Sequence, residues 1–276
     1  MEKKKIQEYT NYLINNQLSE NTIKKYKRES EELESYLKNK KPTKENIISY
    51  LEILQKKQYK KTTLNNKIIC INKYIKYISK DPDNKKGLTL KPIKTQAREI
   101  PNAITQQEYD RIMKQAKTKG TPRDVIMLQL FLNTGIRVSE LKFFTVESLK
   151  KGYMEIKNKG KYRIVPLAKK LIKQGKEYAK KNNINQGSII ISNQKTPISR
   201  ATVFRRLKYL GGQARIKKSK LHPHSIRHLF AKNYLHDNKD DILRLADILG
   251  HESLETTRIY TKLDTDELRK TIKYRG

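Results

Sequence analysis

The first eighty residues carry apolar side chains at helical spacing, interrupted by short polar stretches. Ile6, Tyr9, Tyr12 and Leu13 recur at intervals of three and four, the period of one helix face. Ile23, Tyr26, Leu33 and Leu37 mark the inner stripe of a second helix, with Ser19 or Asn21 as its N-cap. Thr43 opens a third, ENIISYLEIL, with Asn46 standing where a full capping box has Glu. TTLNNKIICINKYIKYI makes a fourth. The pattern predicts a four-helix bundle over residues 1–81. From 82 to 103 the periodicity lapses, and Pro82, Gly87, Pro92 and Pro101 punctuate the chain. A linker of about 20 residues is long for the inside of a compact domain, so a domain boundary is expected there.

A second domain, 104–276, opens with Thr105 capping QQEYDRIMKQA, with Glu108 completing the box. Thr121-Pro122 starts PRDVIMLQLFLNTG, whose nearly continuous apolar face predicts the most buried helix of the domain, and Gly135 ends it. In the following IRVSELKFF, Arg137 and Glu140 share a face. At 152–167 the period changes to two. YMEIK and YRIVPL predict a hairpin turning at Asn158–Lys161, where Gly160 supplies the permissive dihedral. A helix at about 168–182 follows. Ser188–Ser192 reads as a short strand extending the hairpin's sheet, and 199–215 as a basic helix. The class is mainly α: a helical bundle, then an α-rich domain with a small antiparallel β-sheet.

Charge narrows the partners. With 62 Lys and Arg against 28 Asp and Glu, the net charge is +34, spread along the whole length rather than gathered in a tail. A folded protein with a broad basic surface points first to nucleic acid. Lys24, Lys25, Lys27, Lys60, Lys61, Lys67 and Lys73 on the bundle's polar faces fit contacts to a phosphate backbone. No apolar run approaches the ~20 residues that span a bilayer, and MEKKKIQEY lacks the apolar core of a secretory signal. Cys70 is the single cysteine, so an intramolecular disulfide or a thiolate zinc site is excluded. Between Ile69 and Ile71 it reads as a buried, inert thiol, and a cytoplasmic location fits. No phosphate-cradling glycine loop is present.

The candidate chemistry concentrates in 222–260. His224 and Arg227, just after Pro223, share one face of a helix's first turn, where free N–H groups and the dipole favour an anion. Leu249-Gly250-His251 follows, and Tyr260 stands nine residues beyond His251. Taken singly, each is more often structural, and the chain has 16 tyrosines. The ordered set provides a guanidinium, two imidazoles and a phenol, none of which needs a metal to act on a phosphodiester.

In order, the motifs are Thr134-Gly135-Ile136-Arg137-Val138-Ser139-Glu140-Leu141; Arg163-Ile164-Val165-Pro166-Leu167; Pro223-His224-Ser225-Ile226-Arg227-His228; Leu249-Gly250-His251; and Thr256-Thr257-Arg258-Ile259-Tyr260. With these, the sequence resembles the tyrosine recombinase (phage integrase) family over essentially its whole length, most strongly over 121–262. The first domain resembles the family's SAM-like core-site DNA-binding domain and the second its catalytic domain. Without a preceding arm-binding domain, the layout looks more like the simple Xer-type recombinases than the larger two-site integrases.

The resemblance implies roles for named residues. Tyr260 would be the nucleophile, forming a 3′-phosphotyrosyl link and freeing a 5′-hydroxyl. Arg137 and Arg227 would hold the non-bridging oxygens, which suits planar, permanently charged guanidiniums. His224 would accept or relay the tyrosine proton, and His251 would hydrogen-bond the phosphate. A hairpin lysine would protonate the leaving oxygen. The family often shows Lys-Gly-x-Lys-x-Arg there; this chain is one residue shorter after the glycine. Lys159 is the choice, with Lys157 the runner-up and Lys161 a phosphate contact. Glu140 either orients Arg137 or is an ordinary surface carboxylate. His222 and His228 read as structural or DNA-contacting; Tyr234 and Tyr274 lack the nucleophile's context.

Transesterification conserves the bond energy, so neither ATP nor a divalent ion is implied. Double-stranded recombination sites and a tetramer are the expected partners, with an accessory factor or partner recombinase left open. The short 261–276 segment is expected to dock on a neighbouring protomer. Chromosome-dimer resolution and mobile-element integration or excision are equally open. Rival readings are a type IB topoisomerase and a DNA-binding regulator without catalysis.

Overall fold

The computed structural model describes residues 2–38, 40–79, 88–94, 103–158, 161–238, 241–251 and 257, and it divides into two compact units, 1–97 and 98–276. In the first unit, α1 (Glu2–Asn15), α2 (Glu20–Leu37), α3 (Lys44–Lys56) and α4 (Lys61–Ile78) form a bundle. Ser19 caps α2 and Thr43 caps α3, each side-chain oxygen accepting from the third residue on. The core gathers Tyr9 and Leu13, Leu33, Ile47 and Leu54, and Ile68 and Tyr74, all fully buried. Burying these apolar surfaces is what stabilises the bundle. Cys70 is buried, and burial pushes its thiol pKa upward.

One lysine is corrected by the structure. Lys67 does not lie on an open polar face; it is 7% exposed and donates to Glu32 at 2.9 Å and to Glu29 at 2.5 Å. A buried ammonium needs such partners, so Lys67 is committed to the bundle interior.

Residues 88–94, inside the stretch read as a linker, lie along α4. Asn72 donates to the carbonyl of Leu90 at 2.9 Å and accepts from its N–H at 2.8 Å. Asn65 does the same for Ile93, at 3.0 and 2.8 Å. Each amide thus satisfies both backbone groups of an extended residue.

The second unit is α-rich. α5 (Gln106–Lys119) and α6 (Pro122–Thr134) both begin with full capping boxes, at Thr105–Glu108 and Thr121–Asp124. A 3-10 helix spans Val138–Phe143. There follow α7 (Val146–Lys151), β1 (Tyr153–Asn158), β2 (Lys161–Pro166), α8 (Lys169–Lys181), α9 (Arg200–Gln213), α10 (Pro223–Asp237) and α11 (Ile242–Leu249). α6 packs between α10 and α8 and is lined with buried Ile126, Met127, Leu130 and Phe131. β1 and β2 pair antiparallel, Ile156 facing Arg163 and Lys157 facing Tyr162.

The expected third strand is not there. Residues 188–192 make only isolated bridges, Thr145 with Ser188 and Ile191 with Pro197, and the sheet has two strands. Ile189 and Ile190 are both fully buried. Successive strand residues face opposite sides, so a regular strand on the hairpin's edge would leave one of them outside.

Candidate active site

Helix ends bring the site together. Gly135 ends α6 in the left-handed region at φ +60°, where an added Cβ would stand 2.3 Å from Phe230 Cδ1. The chain then turns into Arg137. His222 caps α10, its Nδ1 accepting from the Ser225 N–H at 3.1 Å, and Pro223 occupies the first turn. This makes His222 a structural cap and sets His224 and Arg227 on the first two turns. Gly250 ends α11 at φ +63° and delivers His251.

The C-terminal carbonyls of α11 lack helical partners and carry the negative end of its dipole. Three arginines meet them. Ile248 O accepts from Arg163 Nε at 2.9 Å. Leu249 O accepts from Arg227 Nη2 at 2.7 Å and Arg137 Nη1 at 3.2 Å. Gly250 O accepts from Arg137 Nη2 at 3.2 Å. Arg227, 1% exposed, also donates to Gly135 O at 2.7 Å. Two helix termini therefore hold one buried guanidinium.

Glu140 is the anionic partner of this cluster. It is 1% exposed and accepts from the Arg137 N–H at 2.7 Å, from Arg137 Nη1 at 3.1 Å, and from both Arg163 nitrogens at 3.1 and 2.8 Å. The structure decides between its two sequence readings: Glu140 is a buried carboxylate that orients Arg137. Burial raises its pKa, but the bonds from Arg163 and the Arg137 backbone outweigh that and hold it below the usual carboxylate range.

His251 Nε2 lies 3.0 Å from Arg227 Nη2, and its Nδ1 lies 2.9 Å from Thr257 Oγ1. A guanidinium only donates. Nε2 is therefore the acceptor, and Nδ1–H donates to Thr257. Protonation would set two cations face to face. Burial, then Arg227 and Arg137, push the His251 pKa down to about 4. His224 stays solvent-exposed and packs edge-on against His228, with ring centroids 4.4 Å apart. Neighbouring protein mass, then Arg227, His222 and Arg137, lower its pKa too. Both imidazoles are neutral near pH 7, the form able to take a proton.

Arg137, His224 and Arg227 wall one cavity of about 250 Å³, joined by Arg200 and Phe204. Arg200 opens α9 and lies 5.6 Å from the centroid of the Phe204 ring. It had been read only as part of a basic helix; its place at the helix's first residue was the one available signal. Arg163 had been read only as a motif residue, and Thr257 likewise. A larger cavity of about 750 Å³, beside residues 182–188, holds none of the expected site residues. Lys159 and Tyr260 lie outside the described residues; Lys157 is described on β1, 5.9 Å from the Tyr162 ring centroid. Among the described residues no three metal-ligating side chains cluster, and no helix is long and apolar enough to cross a membrane.

Cations, the His224 imidazole and a helix N-terminus around a small cavity suit a tetrahedral oxyanion. Comparison with known proteins agrees. The Tyrosine recombinase XerA of Pyrococcus horikoshii is 29% identical, over 97% of this chain and 92% of that protein. A crystal structure of XerA recombinase matches with a TM-score of 0.55 at 27% identity, over 99% of both chains. A lambda integrase tetramer bound to a Holliday junction shares the fold, with a TM-score of 0.74 at 17% identity, over 95% of this chain and 78% of that one. The phage integrase N-terminal SAM-like domain matches residues 6–80. The phage integrase family itself matches residues 102–267, more than half of the sequence, and the chain belongs to that family.

Proposed function

We propose that this chain is a site-specific DNA recombinase that breaks and rejoins duplex DNA through a tyrosyl phosphodiester. The reading rests on one observation above all: in a phage integrase chain, Arg137, Arg227 and His224 wall a single cavity, and His251 is hydrogen-bonded to Arg227. In this reading Tyr260 Oη attacks phosphorus as its proton passes to His224. The new O–P bond replaces the bond to the 5′-oxygen, which leaves with a proton from Lys159. Arg137 and Arg227 offset the charge that grows on the non-bridging oxygens, an effect of roughly 3 kcal/mol per donor. When substrate draws Nε2 away from Arg227, the other tautomer of His251 lets Nδ1 accept from the Thr257 hydroxyl and Nε2–H donate to the phosphate. The 5′-hydroxyl of a partner duplex then attacks the link and restores a phosphodiester, so no external energy source enters.

Two such pairs of exchanges need four protomers, in keeping with the lambda integrase tetramer on its junction. The net charge of +34 fits broad backbone contact with double-stranded DNA. A cytoplasmic place of action fits that substrate.

The test is covalent trapping. The full chain is incubated with labelled duplexes nicked beside candidate sites from its genomic neighbourhood, without metal or nucleotide, and run on a denaturing gel beside Tyr260→Phe. A shifted band lost in the variant supports the reading. Tight binding with no band on any duplex would sink it.

A further inference from the structure

The three arginines that meet the end of α11 differ in what they face. Arg137 and Arg227 wall the cavity, whereas Arg163 does not. Arg163 stands on β2, opposite Ile156, and its side chain is 14% exposed. All three kinds of guanidinium nitrogen are engaged: Nη1 and Nη2 donate to the two oxygens of Glu140, at 3.1 and 2.8 Å, and Nε donates to Ile248 O at 2.9 Å. A forked pair of this kind fixes direction as well as distance. The same guanidinium fills the space where residue 250 would carry a Cβ. An added Cβ would stand 2.8 Å from Arg163 Nη1 and 3.0 Å from its Cδ and Cζ. The glycine before His251 is thus required twice, by φ +63° and by Arg163.

We infer that Arg163 is the positioning residue of this site: it locks the hairpin to Glu140 and to the Ile248–Gly250 turn, and so sets Arg137 for the phosphate without touching it. Glu140 holds Arg137 by its backbone and by its side chain, and Gly250 O holds the other Arg137 nitrogen. Arg163 grips Glu140 directly, and through Ile248 O it holds the turn that carries Gly250. Its strand begins two residues after Lys159 in the sequence. This inference deepens the recombinase reading and depends on it.

The experiment measures single-turnover adduct formation on the nicked duplex at saturating protein, together with duplex binding, for the wild type, Arg163→Ala, Arg163→Lys, Gly250→Ala and the Arg163→Ala/Gly250→Ala pair. Arg163→Ala is expected to slow adduct formation about 100-fold, the scale of a misplaced reacting geometry, while duplex affinity is unchanged. Arg163→Lys keeps a cation beside Glu140, and therefore the fold, but cannot make the fork and reach Ile248 O together. It is expected to remain at least about tenfold slow. Because the Cβ at 250 meets Arg163, the losses in the paired variant are expected to add incompletely, with only the strain of φ +63° remaining from residue 250.

A rate split from binding in this way is not what a merely structural arginine would give. Wild-type rates in a folded Arg163→Lys, or losses that add fully in the pair, would overturn the inference. Absence of an adduct even in the wild type would instead remove the recombinase reading and this one with it.

Discussion

Replacing Glu140 by Gln tests whether the arginine cluster depends on a buried charge. Each carboxylate oxygen accepts two bonds: Oε1 from Arg137 Nη1 and Arg163 Nη1, Oε2 from the Arg137 N–H and Arg163 Nη2. Glutamine must put an NH₂ in one of those places, so two charge-assisted bonds are lost whichever way it turns. At roughly 1.5–3 kcal/mol each, the gross loss is about 3–6 kcal/mol. Losing the negative charge also leaves two guanidiniums facing each other, and breaking a buried pair costs about 3–5 kcal/mol. For a unit of this size the melting midpoint should fall by about 10 °C.

The assay is thermal unfolding of the full chain, wild type against Glu140→Gln, across a pH series. The sign of the pH effect is fixed by the direction of the shift. Glu140 is held below its ordinary value of 4.5 in the fold, so its contribution is complete above that value and is lost as pH falls through the folded one. The gap between the proteins should be full above 4.5 and close in acid. A variant within about 0.5 kcal/mol of wild type, the range of ordinary surface changes, would refute the reasoning, as would a gap that does not narrow.

Three further outcomes are expected. Gly135→Ala combines φ +60° with a Cβ driven into Phe230 and Leu249, and should cost at least about 2 kcal/mol by thermal melting. Asn72→Ala strands the N–H and C=O of Leu90, and should cost about 1–3 kcal/mol, with faster amide exchange at Leu90. His228 and His251 are both held near pKa 4 by burial and neighbouring positive groups, against an ordinary 6.5. The unfolded chain takes up protons there that the folded chain refuses, so stability should fall as pH drops from 6.5 toward 4. His228→Asn should flatten that slope.

The sequence disclosed whatever depends on near neighbours. Thr105 with Glu108, Thr121 with Pro122, and Gly135 each announced a helix end within four residues, and each stands where it was expected. The order of motifs disclosed the family, and the proposal of Arg137, His224, Arg227 and His251 as site residues rests on it. Distant partners stayed hidden. Residues 188–192 looked like a strand because Ile189 and Ile190 are β-branched; their partners at 144–145 and 196–198 form single bridges and no ladder. Lys67 looked like one more surface cation because Glu29, its partner, is 38 residues away. Arg163 looked like a motif residue because Ile248, which accepts from it, is 85 residues on.

The two asparagine contacts on α4 have a consequence for how the chain leaves the first unit. Asn65 and Asn72 are seven residues apart on a helix, about 10.5 Å along its axis and some 20° short of two full turns. Leu90 and Ile93, which they hold, are three residues apart, about 9 Å in an open chain of three residues per turn, which presents the same side at every third residue. The two lengths agree, and the segment runs against the direction of the helix, 72 to 90 and 65 to 93. Helix and segment thus act as a vernier, two scales of different step that coincide at two marks. One residue inserted between 90 and 93 would shift the far mark by about 3 Å and turn its backbone away by about a third of a turn, so both contacts could not close together. Sequence length between those marks is therefore fixed by geometry, even though the stretch reads as a linker, and length variation should be tolerated only outside them.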